Sequence, residues 1–413
     1  MIAPVPLFVN KKERVTLFIA LLLLFSFQLF SLYKEYQAFF DSSKHFTKAT
    51  VLNQYQKRRH WVLKMQDSNG NRFYTTSAED LKDLRGRRVA LLVFRSKHKP
   101  SFWDFLQGFY APSYILRVLP ADSLKEKLQR CIASQHTNPF FQELFSALFL
   151  ATPMKKEFRD KIANFSISHL VAISGFHLGL IVAVITFVFS ILLKSLWQRF
   201  YPYKNLYTYA FSFAIFVAIS YTLFLGAIPS LIRSLCMLLF GFFLYSRHMK
   251  ILSFETLLWV VLILIAIFPK FLFSVGFWLS VSGVFYIYLF LHHFRFSKIA
   301  IFVLIHFWMY IVMMPLSLFI FHHFSLMQLF APFLSMCFVL FYPVELLLHV
   351  VGFGGMLDEI LGFLHSTHTV MKIDFPLWLL LLHILNSFLA IWYRWAVVLV
   401  VAIPVIFLIY HIA

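Results

Sequence analysis

Long apolar stretches broken by short polar ones run through most of this chain, and from residue 166 onward they dominate it. Runs that are apolar over about 20 residues match the thickness of a bilayer's hydrocarbon core. Such runs predict spans at 166–193, 205–226, 229–246, 251–268, 271–290, 299–320, 325–348, 376–393 and 396–412. An earlier run, Val15 to Tyr33, follows Lys11, Lys12 and Arg14 and has no small-residue cleavage site at its end, so it reads as an uncleaved signal anchor. With it the count is about ten. Residues 351–375 bear glycines and are mildly amphipathic, which predicts a segment lying along the interface.

Between the anchor and the bundle the pattern changes to period two. Phe46 to Tyr55, His60 to Met65, Arg72 to Thr76, Arg87 to Phe94 and Tyr114 to Leu119 read as strands. The run Asp67 to Asn71, with Asn-Gly at its centre, reads as the turn joining the second and third. Ala78 to Leu84 reads as a helix between the third and fourth. Five short strands with one helix fit a small barrel of the OB type. Residues 121–162 look helical and amphipathic.

The expected architecture is therefore a polytopic α-helical membrane protein with a small OB-like β-barrel domain outside the cytoplasm. The divisions are a cytoplasmic N-terminus (1–14), the anchor (15–33), the basic domain (34–120), a helical connector (121–165) and the transmembrane domain (166–413).

Composition sharpens this. Of 413 residues, 60% are apolar and only 13% charged, which excludes a soluble multidomain enzyme. The net charge is +19, and such a surplus in so apolar a chain implies an anionic contact, either lipid headgroups or nucleic acid. Residues 34–130 carry 19 Lys+Arg against 9 Asp+Glu, so about half the surplus sits in under a quarter of the chain.

Basic short loops (Lys194, Arg199 and Lys204; Arg247 and Lys250; Arg295 and Lys298) alternate with nearly bare ones (Ala227-Ile228, Pro269-Lys270, Phe321 to Phe324). The positive-inside rule puts the basic loops and Lys11 and Lys12 in the cytoplasm, and the basic domain on the other side. Topology does not explain that domain's charge, because long domains are exempt from the rule.

Three cysteines, Cys131, Cys236 and Cys337, are too scattered for a framework. No HExxH, Walker A or dinucleotide fingerprint is present. The pairs His292-His293 and His322-His323 fall at span ends and read as interfacial, so no metal site and no cofactor are expected. Acidic residues in the spans are limited to Glu255 and Glu345, too few for an obvious carboxylate relay.

The polar interruptions of the spans carry the candidate chemistry. Ser168 to Gly179 reads SHLVAISGFHLG. Within it Gly175 and Gly179 share a helical face, as do His169 and His177 eight residues apart. Polar groups at membrane depth face the bundle interior or a wet path. The alternative is a helix-packing seam whose histidines are satisfied by carbonyls. Arg233 lies about one turn inside its span, where it either snorkels or lines a polar path. Gly276 to Gly283, with Ser280, makes another small-residue face.

The stretch from Phe165 to Ile181, which contains HLVAISGFHLGL, resembles the signature of the ComEC family of competence DNA-uptake channels, close to HLLAISGLHVGL. Arg233-Ser234 is similar to the family's Arg-Ala motif, and Gly276 to Val281 to its GFQLSF motif, with Trp278 in place of the glutamine. Phe321 to Pro343 resembles the stretch before the family's late spans. The likeness covers roughly residues 140–345, and the anchor with its basic domain fits the family layout.

The resemblance implies an inner-membrane channel for single-stranded transforming DNA, multi-pass, with a cytoplasmic N-terminus and a periplasmic OB-like domain. It implies a DNA path along His169, Ser174, Gly175, His177, Gly179, Arg233, Gly276, Trp278 and Ser280. In the outer domain, Tyr55, Lys57, Arg58, Arg59, Trp61, Arg72, Phe73, Tyr74, Arg87 and Arg88 are the candidate DNA contacts, aromatics beside cations being the usual platform for single strands. The partners implied are DNA, lipid, a periplasmic DNA-binding protein and a cytoplasmic ATP-driven translocase; a homo-oligomer is allowed. Many members carry a C-terminal metallo-β-lactamase-like domain. This chain has no HxHxDH motif, so it is expected to be the form lacking that domain and not an enzyme.

Two rival readings remain at this stage. One is a secondary transporter for a small anion, since glycine-broken helices suit one. The other is an intramembrane serine protease, since Ala172-Ile173-Ser174-Gly175 is one residue from GxSG.

Overall fold

The computed structural model describes residues 7–8, 10–41, 44–57, 60–77, 82–94, 99–120, 123–226, 228–247, 249, 252–366 and 369–412. Helix α1 (Lys11–Asp41) is one continuous element of 31 residues, about 46 Å at 1.5 Å per residue. It runs past the apolar stretch and brings Tyr36, Phe39 and Phe40, spaced i, i+3, i+4, into the core of the sheet that follows.

Among the described residues that sheet has six strands: β1 (Lys44–Lys57), β2 (His60–Asp67), β3 (Arg72–Ser77), β4 (Arg88–Phe94), β5 (Phe109–Tyr110) and β6 (Ser113–Val118). Their order is β5-β3-β2-β1-β4-β6. The β2–β3 turn forms where the Asn-Gly pair predicts it. Gly70 takes φ +80°, and the Asp67 carboxylate accepts from the amides of Asn69 and Asn71. A bulge between Val51 and Asn53 changes which β1 residues face the core. The segment 109–118 joins both edges of the sheet: β5 pairs parallel with β3, and β6 pairs antiparallel with β4. Val51, Leu63, Met65, Phe73, Val89 and Leu91 are wholly buried in its core.

The helix expected over Ala78 to Leu84 falls partly outside the described residues, and 82–84 are not helical. A helix does form later, α2 (Phe102–Gln107), where Ser101 and Asp104 cap each other reciprocally.

The connector is α3 (Leu124–Ala133), α4 (Pro139–Leu150) and α5 (Lys156–Ala163). The amphipathic reading suits α3 and α5. Helix α4 carries Gln142 and Glu143 on one side but is buried continuously from Leu144 to Leu150, so its second half lies inside the packed bundle.

The bundle comprises α6 (Ser168–Val171), α7 (Gly175–Phe200), α8 (Leu206–Phe224), α9 (Pro229–Ser246), α10 (Phe254–Ile267), α11 (Val275–His293), α12 (Lys298–Phe321), α13 (Ala331–Val351), α14 (Leu377–Leu389) and α15 (Arg394–Ile412). Among the described residues, eight helices are long and apolar enough to cross a membrane, not the ten the runs suggested. The difference lies in α10 and α14, whose 14 and 13 residues reach only about 20 Å. Short 3₁₀ turns (Pro269–Phe273 after α10, Gly354–Leu357 and Ile360–His365 after α13) occupy ground that hydropathy alone assigns to spans or interface. Large side chains such as Leu192, Phe216, Leu340 and Val350 point outward from the bundle, as lipid-facing positions require.

Candidate functional site

The first polar motif is a break, not a helix. Helix α6 ends at Val171, and α7 begins at Gly175 with Ser174 as its N-cap. Ser174 Oγ accepts from the Phe176 amide at 3.3 Å. The Ser174 amide donates to His177 Nδ1 at 3.1 Å. His177 thus fills the place a glutamate takes in a capping box. Its ring is wholly buried against Phe338 and Tyr342. Its Nε2 faces the Leu170 carbonyl without a hydrogen bond of good geometry. The 3.3 Å approach of Ser174 Oγ to His177 Nδ1 belongs to this cap. Among the described residues no carboxylate bonds the other ring nitrogen, so the pair lacks the third group of a triad.

His169 and His177 do not share a helical face, because the break separates them. His169 is exposed, and its Nδ1 bonds the Ser166 carbonyl at 3.0 Å.

The second motif packs onto the break. Ser230 Oγ donates to the Ile173 carbonyl at 2.9 Å. A Cβ on Gly175 would sit 2.5 Å from Ser234 Oγ, so α7 and α9 touch there only because residue 175 has no side chain. Gly179 differs: a Cβ there would meet nothing within 4 Å. Arg233 is only 6% exposed. Its Nη2 donates to the Gly276 carbonyl at 3.3 Å, its charge lies 5.6 Å from the centre of the Phe271 ring, and its Nε has no partner among the described residues. Gly276 is thereby the point where the third motif joins the other two. Trp278 and Ser280 are exposed, and the Trp278 indole donates to the Leu272 carbonyl at 2.9 Å.

Charge continues from here to the sheet. Lys270 Nζ donates to Asn71 Oδ1 at 2.7 Å. The Asn71 amide donates to Glu35 at 2.8 Å and to Asp67 at 3.0 Å. Burial holds the Lys270 ammonium below the ordinary lysine range; Glu35 and Asp67 act against this and Arg72 with it. Arg72 also lies close enough to Arg233 for their charges to repel. Arg72 thus acts on both Lys270 and Arg233, and the three cations cluster between the sheet and the helix break, with Glu35 and Asp67 beside Lys270. Sequence reading missed Lys270, having counted Pro269-Lys270 among the bare loops. The signal was a single lysine on the otherwise uncharged side.

Strand alternation sorts the outer-domain candidates. Leu63, Met65, Phe73 and Thr75 point into the core, so Phe73, wholly buried, is a core ring and not a surface platform. The opposite side pairs Lys64 with Tyr74 and Val62 with Thr76, and Tyr110 sits beside Tyr74. Beyond the bulge, β1 adds Tyr55 and Lys57, with His60 opposite Lys57. Lys64 Nζ lies 5.4 Å from the Tyr74 ring centre, and the hydroxyls of Thr76 and Tyr110 are 3.0 Å apart. Trp61 has the parity of Leu63 and so leaves this cluster. Arg87 pairs with Glu126 at 3.2 Å, and Arg88 is exposed. Arg58 and Arg59 lie outside the described residues. Lys64, His60 and Tyr110 were not singled out from the sequence, because strand register, which unites them, is absent from any local motif.

Eight long apolar helices and an N-terminal sheet define a multi-pass membrane protein. Residues 151–413 match a family described as Competence protein, and the chain belongs to that family, the ComEC/Rec2 competence family. Membership connects it with DNA uptake in natural competence. No curated protein and no solved structure was found to match it.

Proposed function

We propose that this protein is the inner-membrane channel that admits transforming DNA as a single strand. The observation that carries the reading is the cluster of Arg72, Lys270 and Arg233 between the outer sheet and the junction of the three motifs. Stacked cations held partly out of water repel one another, and a polyanion threading past them relieves that repulsion. The joining of both sheet edges by segment 109–118 supports an OB-like barrel. Its face of Tyr55, Lys57, His60, Lys64, Tyr74 and Tyr110 receives the strand by stacking and phosphate contact. The N-terminus lies in the cytoplasm and the barrel in the periplasm. The chain performs no chemistry; a cytoplasmic ATP-driven translocase and a periplasmic DNA-binding protein supply the pull. Glycine at 175 and 276 lets the three segments close around the path.

The test follows labelled DNA in cells lacking the protein, with periplasmic and cytoplasmic label scored separately. Label is expected to collect outside the inner membrane and not to enter. Entry at the normal rate would reject the channel. With Arg233→Ala in place of the native protein, insertion is expected to be normal and entry reduced at least tenfold; normal entry would remove Arg233 from the path.

A further inference from the structure

Away from the motifs, four ionisable side chains line up between the connector and α13. His136 follows α3 and is 4% exposed. Its Nδ1 lies 3.0 Å from both carboxylate oxygens of Asp358. Its Nε2 lies 3.0 Å from Nε2 of His349. Nδ1 of His349 lies 2.8 Å from the Glu345 carbonyl oxygen and 3.5 Å from that residue's carboxylate, which is wholly buried. Gln135 ties the same two segments, its amide donating to the His349 carbonyl and its carbonyl accepting from the Gly354 amide.

Counting hydrogens fixes the state of the two rings. With Asp358 ionised, its carboxylate and the Glu345 carbonyl are both acceptors, and both Nδ1 atoms then carry a proton. Two neutral imidazoles hold only two protons, and both are then used. The two Nε2 atoms would face each other as bare lone pairs at 3.0 Å, which is repulsive. One further proton turns that contact into an N–H···N hydrogen bond of ordinary length. The pair then carries one positive charge beside the Asp358 carboxylate.

We propose that His136 and His349 form a binding site for a single proton, which clasps the connector to α13. A metal ion is the other cation able to bridge two lone pairs, but no third ligand is in place among the described residues. The charged or titratable groups facing the pair are Asp358 and Glu345; α4 presents only the rings of Phe145 and Phe149. Cys131 touches Gln135 rather than either ring. Tyr342, one turn before Glu345, packs 5.0 Å from the His177 ring. On the channel reading above, the clasp therefore ties a proton to the helix at the mouth of the path.

The full chain in detergent, labelled with ¹⁵N-histidine, tests the count. The wild type is expected to show one imidazolium shared by His136 and His349, lost in His136→Gln and in His349→Gln. Hydrogen-exchange protection of the amides of 352–358 is expected to fall about tenfold or more when pH rises and the proton leaves, and to be low at every pH in both variants. Asp358→Asn keeps the shape and removes the carboxylate that bonds His136, so protection of 352–358 should be lower than in the wild type. Both rings neutral wherever the wild type is folded, or equal protection in wild type and variants, would overturn the proposal. Added zinc that raises protection, reversed by a chelator, would replace the proton with a metal. DNA enters none of these measurements, so their failure is separate from failure of the channel reading.

Discussion

Single side chains decide how closely the motif segments meet. At residue 175 the space for a methyl group is already held by Ser234, and α9 is itself anchored to the break by Ser230. Gly175→Ala is therefore expected to destabilise the protein by about 1–3 kcal/mol, the usual cost of overpacking. Ser234→Gly in the same chain should restore most of it, since the clash involves that side chain alone. Thermal unfolding of the two single variants and the double variant measures the coupling. Gly179→Ala, with open space around it, should be nearly neutral and serves as the control. Sequence alone marked both glycines as one packing face. The break at Ala172 to Ser174, which changes their roles, is visible only once Ser174 is seen capping α7. A serine before a glycine is a helix start in one context and a mid-helix residue in another, and the neighbouring helix decides between them.

At the scale of elements, what the sequence made legible was hydrophobic period. Strands β1 to β4 were readable because each buries one face, and the long spans because they are apolar throughout over a bilayer's thickness. Register was not readable, and neither was the depth of α4, since both depend on partners far along the chain. The link between the sheet and the bundle belongs to that second kind. It rests on Lys270 in the turn after α10, with the Trp103 and Phe273 rings 5.8 Å apart beside it. Lys270→Met should loosen the sheet from the bundle and speed proteolysis within β2–β3, without altering the helix content of the spans. The pH dependence has a definite sign. A lysine held below its ordinary range in the folded state binds fewer protons folded than unfolded over the interval beneath its unfolded value near 10.4. Stability at this contact therefore rises with pH across that interval, opposite to loss of an ion pair. The trend should vanish in Lys270→Met, as read from proteolysis rates over the pH interval just below the unfolded value.

For the whole molecule, position matters more than total charge. A net charge of +19 attracts any polyanion, but an attraction spread over the surface selects no route. The sheet gathers Lys57, Lys64 and three tyrosines on one side, and Arg72, Lys270 and Arg233 cluster between the sheet and the helix break. Stacking and charge on that face make different demands on an experiment. Each phosphate contact to a single strand contributes about 0.7 to the slope of log affinity against log salt. Each stacked base contributes about 1–3 kcal/mol with no such slope. In binding of a short oligothymidylate to the full chain in lipid nanodiscs, Lys64→Gln should lower the salt slope by about 0.7 while leaving binding at high salt little changed. Tyr74→Ala should weaken binding at every salt concentration, by roughly 5- to 150-fold, with the slope intact. Because Lys64 sits over the Tyr74 ring, the double variant should lose somewhat less than the two losses combined. If both variants shift the slope alike, the face binds by charge only and the tyrosines are not platforms. If neither changes binding, the strand enters elsewhere and the charged cluster at Lys270 must be reached without this face.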